Sequence, residues 1–287
     1  MKKLLYQLDT DTLPSVFDNV VGYDGGADHI TALGGVNATN VGGLVEGAIF
    51  TRGPKDKQNT ALFIGGGQMS EGQALLAAVQ KKFFGKFRVS LMFDCNGCNT
   101  TSAAAVAWLT HGRSIAGQRA VVLAGTGPVG QRAAALLARE GARVALTGRK
   151  LDTVRAACAA VEARFGVPVE PIAAASHEER ARALEGAHIV LATGAAGTPL
   201  LEARHWQENP SIALVADANA SPPAGIEGVE PGDRGAGRHG KIVFGALGFG
   251  ALKLALHRAC IGRLFERNDL VLDAEEIYAL AKTMVGR

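Results

Sequence analysis

Apolar positions in this chain fall into short runs separated by polar or glycine-rich breaks, and their spacing predicts alternating strands and helices. "LLYQL" (residues 4–8) predicts a first strand, followed by a polar loop from Asp9 to Pro14. A second apolar segment around Val20 runs into the turn-rich "GYDGGADHI". "TALFIGGG" predicts a strand ending in glycines, and "MSEGQALLAAVQKKFF" a helix with Ser70 as its N-cap. "FRVSLMFD" predicts the next strand, closed by the polar turn "CNGCNTT".

From Thr100, the alanine-rich "TTSAAAVAWLTHG" predicts a helix that bridges to a second region. There the alternation repeats through "AVVLA", "QRAAALLARE", "RVALTG", "LDTVRAACAAVEARF", "PVEPIAA", "HEERARALEG", "HIVLATG" and "IALVADAN". That order is the doubly wound pattern. The segment from Ala251 to Met284 reads as helical and is expected to pack back on the first region. The predicted fold class is therefore α/β, a Rossmann-type doubly wound parallel sheet domain plus a smaller α/β substrate domain with a cleft between them. The expected boundaries are 1–105 for the substrate domain and 106–269 for the dinucleotide domain, with a C-terminal helix over 270–287 returning to the first.

Composition narrows this picture. At 287 residues with 47% hydrophobic and 20% charged side chains, the chain has material for two packed cores and none of the bias of a disordered one. Its 37 glycines fall in clusters without a fixed period, which points to tight turns and close ligand approach. A formal charge of +3 without a Lys/Arg block excludes a nucleic-acid footprint and favours small polyanions as partners. No run of about 18 apolar residues predicts a membrane span. The N-terminal apolar run is broken at Gln7, Asp9 and Asp11, unlike a secretory signal, so the expected location is the cytoplasm. Cys95 and Cys98 have C-x-x-C spacing, but no second pair completes a zinc set; no metal is expected, and the thiols read as reduced residues in a turn.

The chemistry begins at "AVVLAGTGPVG". Gly125, Gly127 and Gly130 follow an apolar strand and open an amphipathic helix, the context a dinucleotide fingerprint requires. The first glycine is expected to permit the turn, the second to admit the pyrophosphate, and the third to let helix and strand pack closely. The whole turn, with Thr126, Pro128 and Val129, is thus a cofactor candidate. About 20 residues on, an NAD site places a carboxylate on the ribose 2′-hydroxyl. This chain has Thr147, Gly148, Arg149 and Lys150 instead. Guanidinium and ammonium groups attract a 2′-phosphate that a carboxylate would repel, so the expected cofactor is NADP. Thr193, Gly194 and Ala195 in "LATGAAG", and Asn219 after "VADA", end strands at the same sheet edge and are expected beside the nicotinamide.

A catalytic inventory finds no nucleophile elbow and no H-E-x-x-H helix. The seven histidines are scattered, and only His29 lies in a dense polar turn; His257 reads as a surface or packing residue. No general base for an alcohol oxidation stands out.

The blocks "QLDTD", "PSVFD", "VVGYDGGADHI", "IFTRG", "IGGG", "DCNGCNTTSAAA", "AGTGPVG", "GRKLD" and "FGALGFGALKLALHRACI" resemble the NADP-dependent methylene-tetrahydromethanopterin dehydrogenases of methylotrophic bacteria, over essentially the whole chain. The resemblance implies oxidation of a methylene-bearing reduced pterin to its methenyl form in one-carbon metabolism, with methylene-tetrahydrofolate accepted by some members. The inventory fits: hydride leaves a carbon between two nitrogens whose lone pairs hold the resulting cation, so no base is required and positioning suffices.

Substrate contact is expected from Asp94, Asn96 and Asn99 at the end of "FRVSLMFD", and from Thr100 and Thr101 capping the next helix. Asp94 is expected to stabilise the cation or bond the amino-pyrimidine. Phe17, as a stacking ring, with Asp18, Asp24 and His29 form a second set. The resemblance assigns Lys253, in "GALKLAL", the role of orienting the pterin. Dehydrogenase activity without methenyl hydrolysis, and a homo-oligomer, complete the expectations. A shikimate-dehydrogenase-like oxidoreductase, which needs a Lys/Asp pair in the first domain, and a non-catalytic NADPH sensor are the competing readings.

Overall fold

The structure, a computed structural model, describes residues 1–286. The chain divides into two compact units, residues 1–100 with 254–280, and residues 101–253 with the end of the chain from Ala281. The return to the first unit thus starts at residue 254, earlier than the 270 read from sequence.

The first unit begins with β1 (Leu4–Asp9), α1 (Val16–Asp24), β2 (His29–Leu33), α2 (Gly42–Phe50), β3 (Thr60–Gly65), α3 (Met69–Lys81) and β4 (Ser90–Phe93). The chain passes into the second unit within α4 (Cys98–Thr110). Next come β5 (Arg119–Leu123), α5 (Pro128–Arg139), β6 (Arg143–Gly148), α6 (Leu151–Phe165), β7 (Glu170–Ala173), α7 (His177–Ala183), β8 (Ile189–Ala192), β9 (Leu214–Asp217), β10 (Arg234–Arg238) and β11 (Lys241–Phe244). It returns within α8 (Ala246–Arg263) and finishes with β12 (Val271–Leu272) and α9 (Ala274–Met284).

In the first unit the sheet order is β12-β4-β3-β1-β2, with every pair parallel. Read from β2, this is the doubly wound order 2-1-3-4-5, whose direction of winding reverses between β1 and β3. β3 and β4 are buried along their full length, as central parallel strands are. One face packs Leu8, Leu62, Ile64 and Phe93 against Val45 and Ile49 of α2 and Leu75 of α3.

The second unit has the order β10-β11-β9-β8-β5-β6-β7, parallel except for the β10–β11 hairpin at its edge. Its six parallel strands follow the 3-2-1-4-5-6 order of a dinucleotide fold, reversing between β5 and β8. Trp206 is fully buried in its core and donates Nε1–H to Glu227 O at 2.9 Å.

Three local expectations are corrected, and the segment around Val20 gains its element. Ser70 is the second residue of α3; Gln68 precedes the helix and makes no side-chain cap bond. The segment around Val20 is helix α1, capped by Ser15 Oγ accepting from Asp18 N. The apolar C-terminal stretch is two helices, because Asn268 and Leu270 tie the chain to Arg88 and Ser90 and lay β12 along β4. "ADHI" enters strand β2 rather than a ligand-binding turn, since Asp28 exchanges bonds with the Lys3 backbone. Among the described residues no helix is long and apolar enough to cross a membrane, and no His/Cys/Asp/Glu cluster could hold a metal.

Candidate functional site

Ligands of doubly wound sheets bind outside the carboxyl ends of the strands where the winding reverses. In the second unit that point lies between β5 and β8, and the glycine turn sits on it. Gly127 precedes α5, with Pro128 as the first helical residue, leaving the helix's first N–H groups available to an anion. A Cβ on Gly127 would meet nothing within 4 Å, so its backbone faces open space. A Cβ on Gly130 would strike the backbone of Gly125 and Thr193 Oγ1, as close helix–strand packing requires. Gly125 departs from its expected role. The left-handed residue of the turn is Ala124 (φ 50°), whereas Gly125 is small because Leu146 and Val122 fill the space its Cβ would take.

Arg149 and Lys150 are exposed and, with Thr126 and Thr153, line a cavity of 450 Å³. Two cations, two hydroxyls and no carboxylate fit a phosphate monoester carrying about −1.5 to −2 charges at neutral pH. The residues present therefore fit NADP. Thr147 does not face this cavity: it is 1% exposed, and its Oγ1 accepts from Ala124 N at 3.1 Å, supporting the turn from beneath. Thr193 is held similarly, donating N–H and Oγ1–H to Leu123 O. Gly194 is half-buried against Leu200, and Ala195 is exposed. Asn219 ties the two loops after β8 and β9 together. Its Oδ1 accepts from Gly197 N and Ser221 N, and its Nδ2 donates to Pro223 O.

In the first unit the reversal lies between β1 and β3, which the sequence had not singled out. β1 ends in Asp9-Thr10-Asp11 and β3 in Gly65-Gly66-Gly67. The two ends are stitched together: Thr10 N donates to Gly65 O, and Gly67 N to Asp11 Oδ2 at 2.8 Å. Gly66 has φ 125°, and a Cβ there would strike Thr10 Oγ1, so only glycine serves. Asp9 accepts from Asp11 N and Ser15 N, both at 3.0 Å, which fixes the loop and the start of α1. Phe17 and Asp18 are thereby held at this edge; Phe17 is 48% exposed, and Asp18 faces the Gly65 end of β3.

The other expected substrate residues are placed less uniformly. Asp94 is fully buried at the end of β4, where Oδ1 accepts from Asn99 N and Thr100 N and Oδ2 from Thr100 Oγ1 at 2.6 Å. Asn99 donates Nδ2–H to Phe93 O and Asp273 Oδ1. Asp94, Asn99 and Thr100 are therefore a buried helix cap, while Asn96, exposed with φ 52°, and half-buried Thr101 flank it. Asp24 and His29 lie at the other edge: His29 opposes Leu4 at the start of β1, and Asp24 ends α1 paired with Arg258 at 2.8 Å. They are not brought together with Phe17. Lys253 is half-buried on α8, the last residue of the second unit before the return.

Burial pushes the thiol of Cys95 far up, helped by Asp94, and both Cys95 and Cys98 are buried. The thiolate that redox or metal chemistry needs is disfavoured at Cys95.

Residues 16–96 match the family described as methylene-tetrahydromethanopterin dehydrogenase, N-terminal. The chain is 58% identical, over 99% of both sequences, to "Bifunctional protein MdtA" of Methylorubrum extorquens strain AM1. It is 29% identical, again over 99% of both, to the NAD(P)-dependent methylenetetrahydromethanopterin dehydrogenase of the same organism. Shikimate 5-dehydrogenase from Mycobacterium fortuitum shares the fold, with a TM-score of 0.54 over 98% of each chain at 15% identity. Fold likeness at that identity leaves the substrate open, whereas the sequence relation spans both units: the chain belongs to the methylene-tetrahydromethanopterin dehydrogenase family.

Proposed function

We propose that this protein oxidises methylene-tetrahydromethanopterin to the methenyl form with NADP as hydride acceptor, and that it also accepts methylene-tetrahydrofolate. The observation that carries the reading is the match, over 99% of both chains, to a relative named for this reaction. The cavity of Arg149, Lys150, Thr126 and Thr153 supports NADP as the form taken up.

NADP, when bound, supplies a nicotinamide C4 that accepts hydride. The chain's part is to hold and orient. The N–H groups at the start of α5 and the open backbone of Gly127 would hold the pyrophosphate, and Arg149 with Lys150 would hold the 2′-phosphate by charge-assisted bonds. At the β1/β3 edge, Asp18 is the acceptor for N–H groups of the amino-pyrimidine, and Phe17 the stacking face. Lys253 orients the pterin. Hydride would leave the methylene carbon with the electron pair of one C–H bond for the acceptor, and the flanking nitrogens would share the positive charge. No proton is removed, so the absence of a placed base is consistent with the chemistry.

The two functions of a relative called bifunctional are met, in this reading, by one hydride transfer on two carriers. Methenyl hydrolysis would need an activated water, and rapid hydrolysis by the pure protein would contradict the restriction. We further propose a homo-oligomer working in the cytoplasm. The exposed Phe50, Phe84 and Phe87, whose rings contact one another, are surface that a second copy would bury, and light scattering tests it. The function is tested by NADPH formation from both methylene pterins, each with NADP and NAD. Turnover with NADP supports the reading; no turnover with any pair overturns it.

A further inference from the structure

His257 has no part in the site as proposed. It lies on the portion of α8 that belongs to the first unit and is fully buried. Its ring stacks on Phe63, with centroids 5.5 Å apart and 25° between planes, and meets Phe17 at 6.2 Å and 42°. Phe63 is itself buried on β3, two residues before the Gly65 end, whereas Phe17 is 48% exposed. Three rings thus lead from the core of the sheet to a half-exposed phenyl at the edge where winding reverses.

α1 is also pinned to α8 at its far end, by Asp24–Arg258 and by Ile261 filling the space beside Gly25. Its near end is set by Asp9 through Ser15. The helix is therefore fixed at both ends, and the imidazole of His257 packs beside the Phe17 ring.

We propose that His257 is a positioning residue for the pterin, holding Phe17 as the flat face on which the ring of the reduced pterin stacks. This rests on the function proposed above. Aromatic pairs have preferred offsets and tilts that an aliphatic side chain does not impose, so a residue that kept the volume but not the ring would leave Phe17 free to turn.

The test uses the full chain and steady-state kinetics of His257→Leu, His257→Phe, Phe17→Ala and the Leu/Ala double variant, with melting temperatures in parallel. His257→Leu should raise the pterin KM on the order of tenfold and leave the NADP KM unchanged. His257→Phe, which restores a ring, should keep the pterin KM near that of the wild type. In the Phe17→Ala background, His257→Leu should add nothing further. An unchanged pterin KM in His257→Leu, parallel shifts in both KM values, or additive effects in the double variant would each overturn the proposal. Should His257→Leu fail to fold, a pterin KM for His257→Phe as high as that of Phe17→Ala would do so. A wild-type protein that turns over no methylene pterin would overturn the functional reading, and the proposal with it.

Discussion

Asp94 and Thr100 form a closed pair at the end of β4: Oδ2 accepts the Thr100 hydroxyl at 2.6 Å while Oδ1 takes the N–H groups of Asn99 and Thr100. A carboxylate so engaged begins a helix. Asp94→Ala should therefore cost about 2–4 kcal/mol of stability, the loss of a helix cap combined with buried donors left unmade. Thermal melting checks this. A large fall in kcat with melting unchanged would return Asp94 to the substrate.

Arg149→Ala should raise the KM for NADP on the order of ten- to a hundredfold, the range of one charge-assisted contact. The KM for NAD should hardly move, since NAD has no 2′-phosphate. Initial rates with both cofactors decide it, and equal losses would contradict the cavity assignment.

Gly127→Ala and Gly130→Ala separate two reasons for glycine. The first has empty space around its Cβ, so the variant should melt like the wild type and bind NADP weakly. The second would drive a methyl into the Gly125 backbone and should unfold at markedly lower temperature. Melting curves with and without NADP distinguish them.

Burial raises the Cys158 thiol to about 11 from an ordinary 9.0. The folded protein thus keeps a proton that the unfolded chain releases first. The associated stabilisation is complete below pH 9 and lost as pH rises toward 11. Urea midpoints measured from pH 8 to 11 should fall, and the fall should be shallower in Cys158→Ala. An identical slope in the two proteins would place the effect elsewhere.

Much of the second unit was legible because each parallel strand is a short apolar run and each helix carries one apolar stripe. The hairpin β10–β11 was missed, since "RGAGR" has no apolar alternation and pairs with Lys241–Phe244 only in the fold. In the first unit β2 and α2 escaped notice. α2 has glycine at three of its nine residues, and β2 is an edge strand with a single buried residue.

The site divides along the same line. Arg149 and Lys150 can be proposed from sequence because their chemistry depends on position in one local motif. Asp9, Gly66 and His257 are not, because their importance comes from sheet order and from α8 returning to the first unit. Polarity at a strand end likewise drew attention to Asp94, and only the hydrogen bonds reveal it as a cap. The turn "GYDGGADHI" is dense in polar residues for a structural reason, ending α1 and entering β2 at the edge away from Phe17.

The claim at the centre is direct hydride transfer from the methylene carbon to NADP. Turnover of a pterin whose bridging methylene carries two deuteriums tests it, with mass spectrometry of the reduced cofactor. Direct transfer predicts NADPH one mass unit heavier and a methenyl product that keeps the second deuterium. Reduced cofactor without deuterium, formed at a full rate, would contradict it.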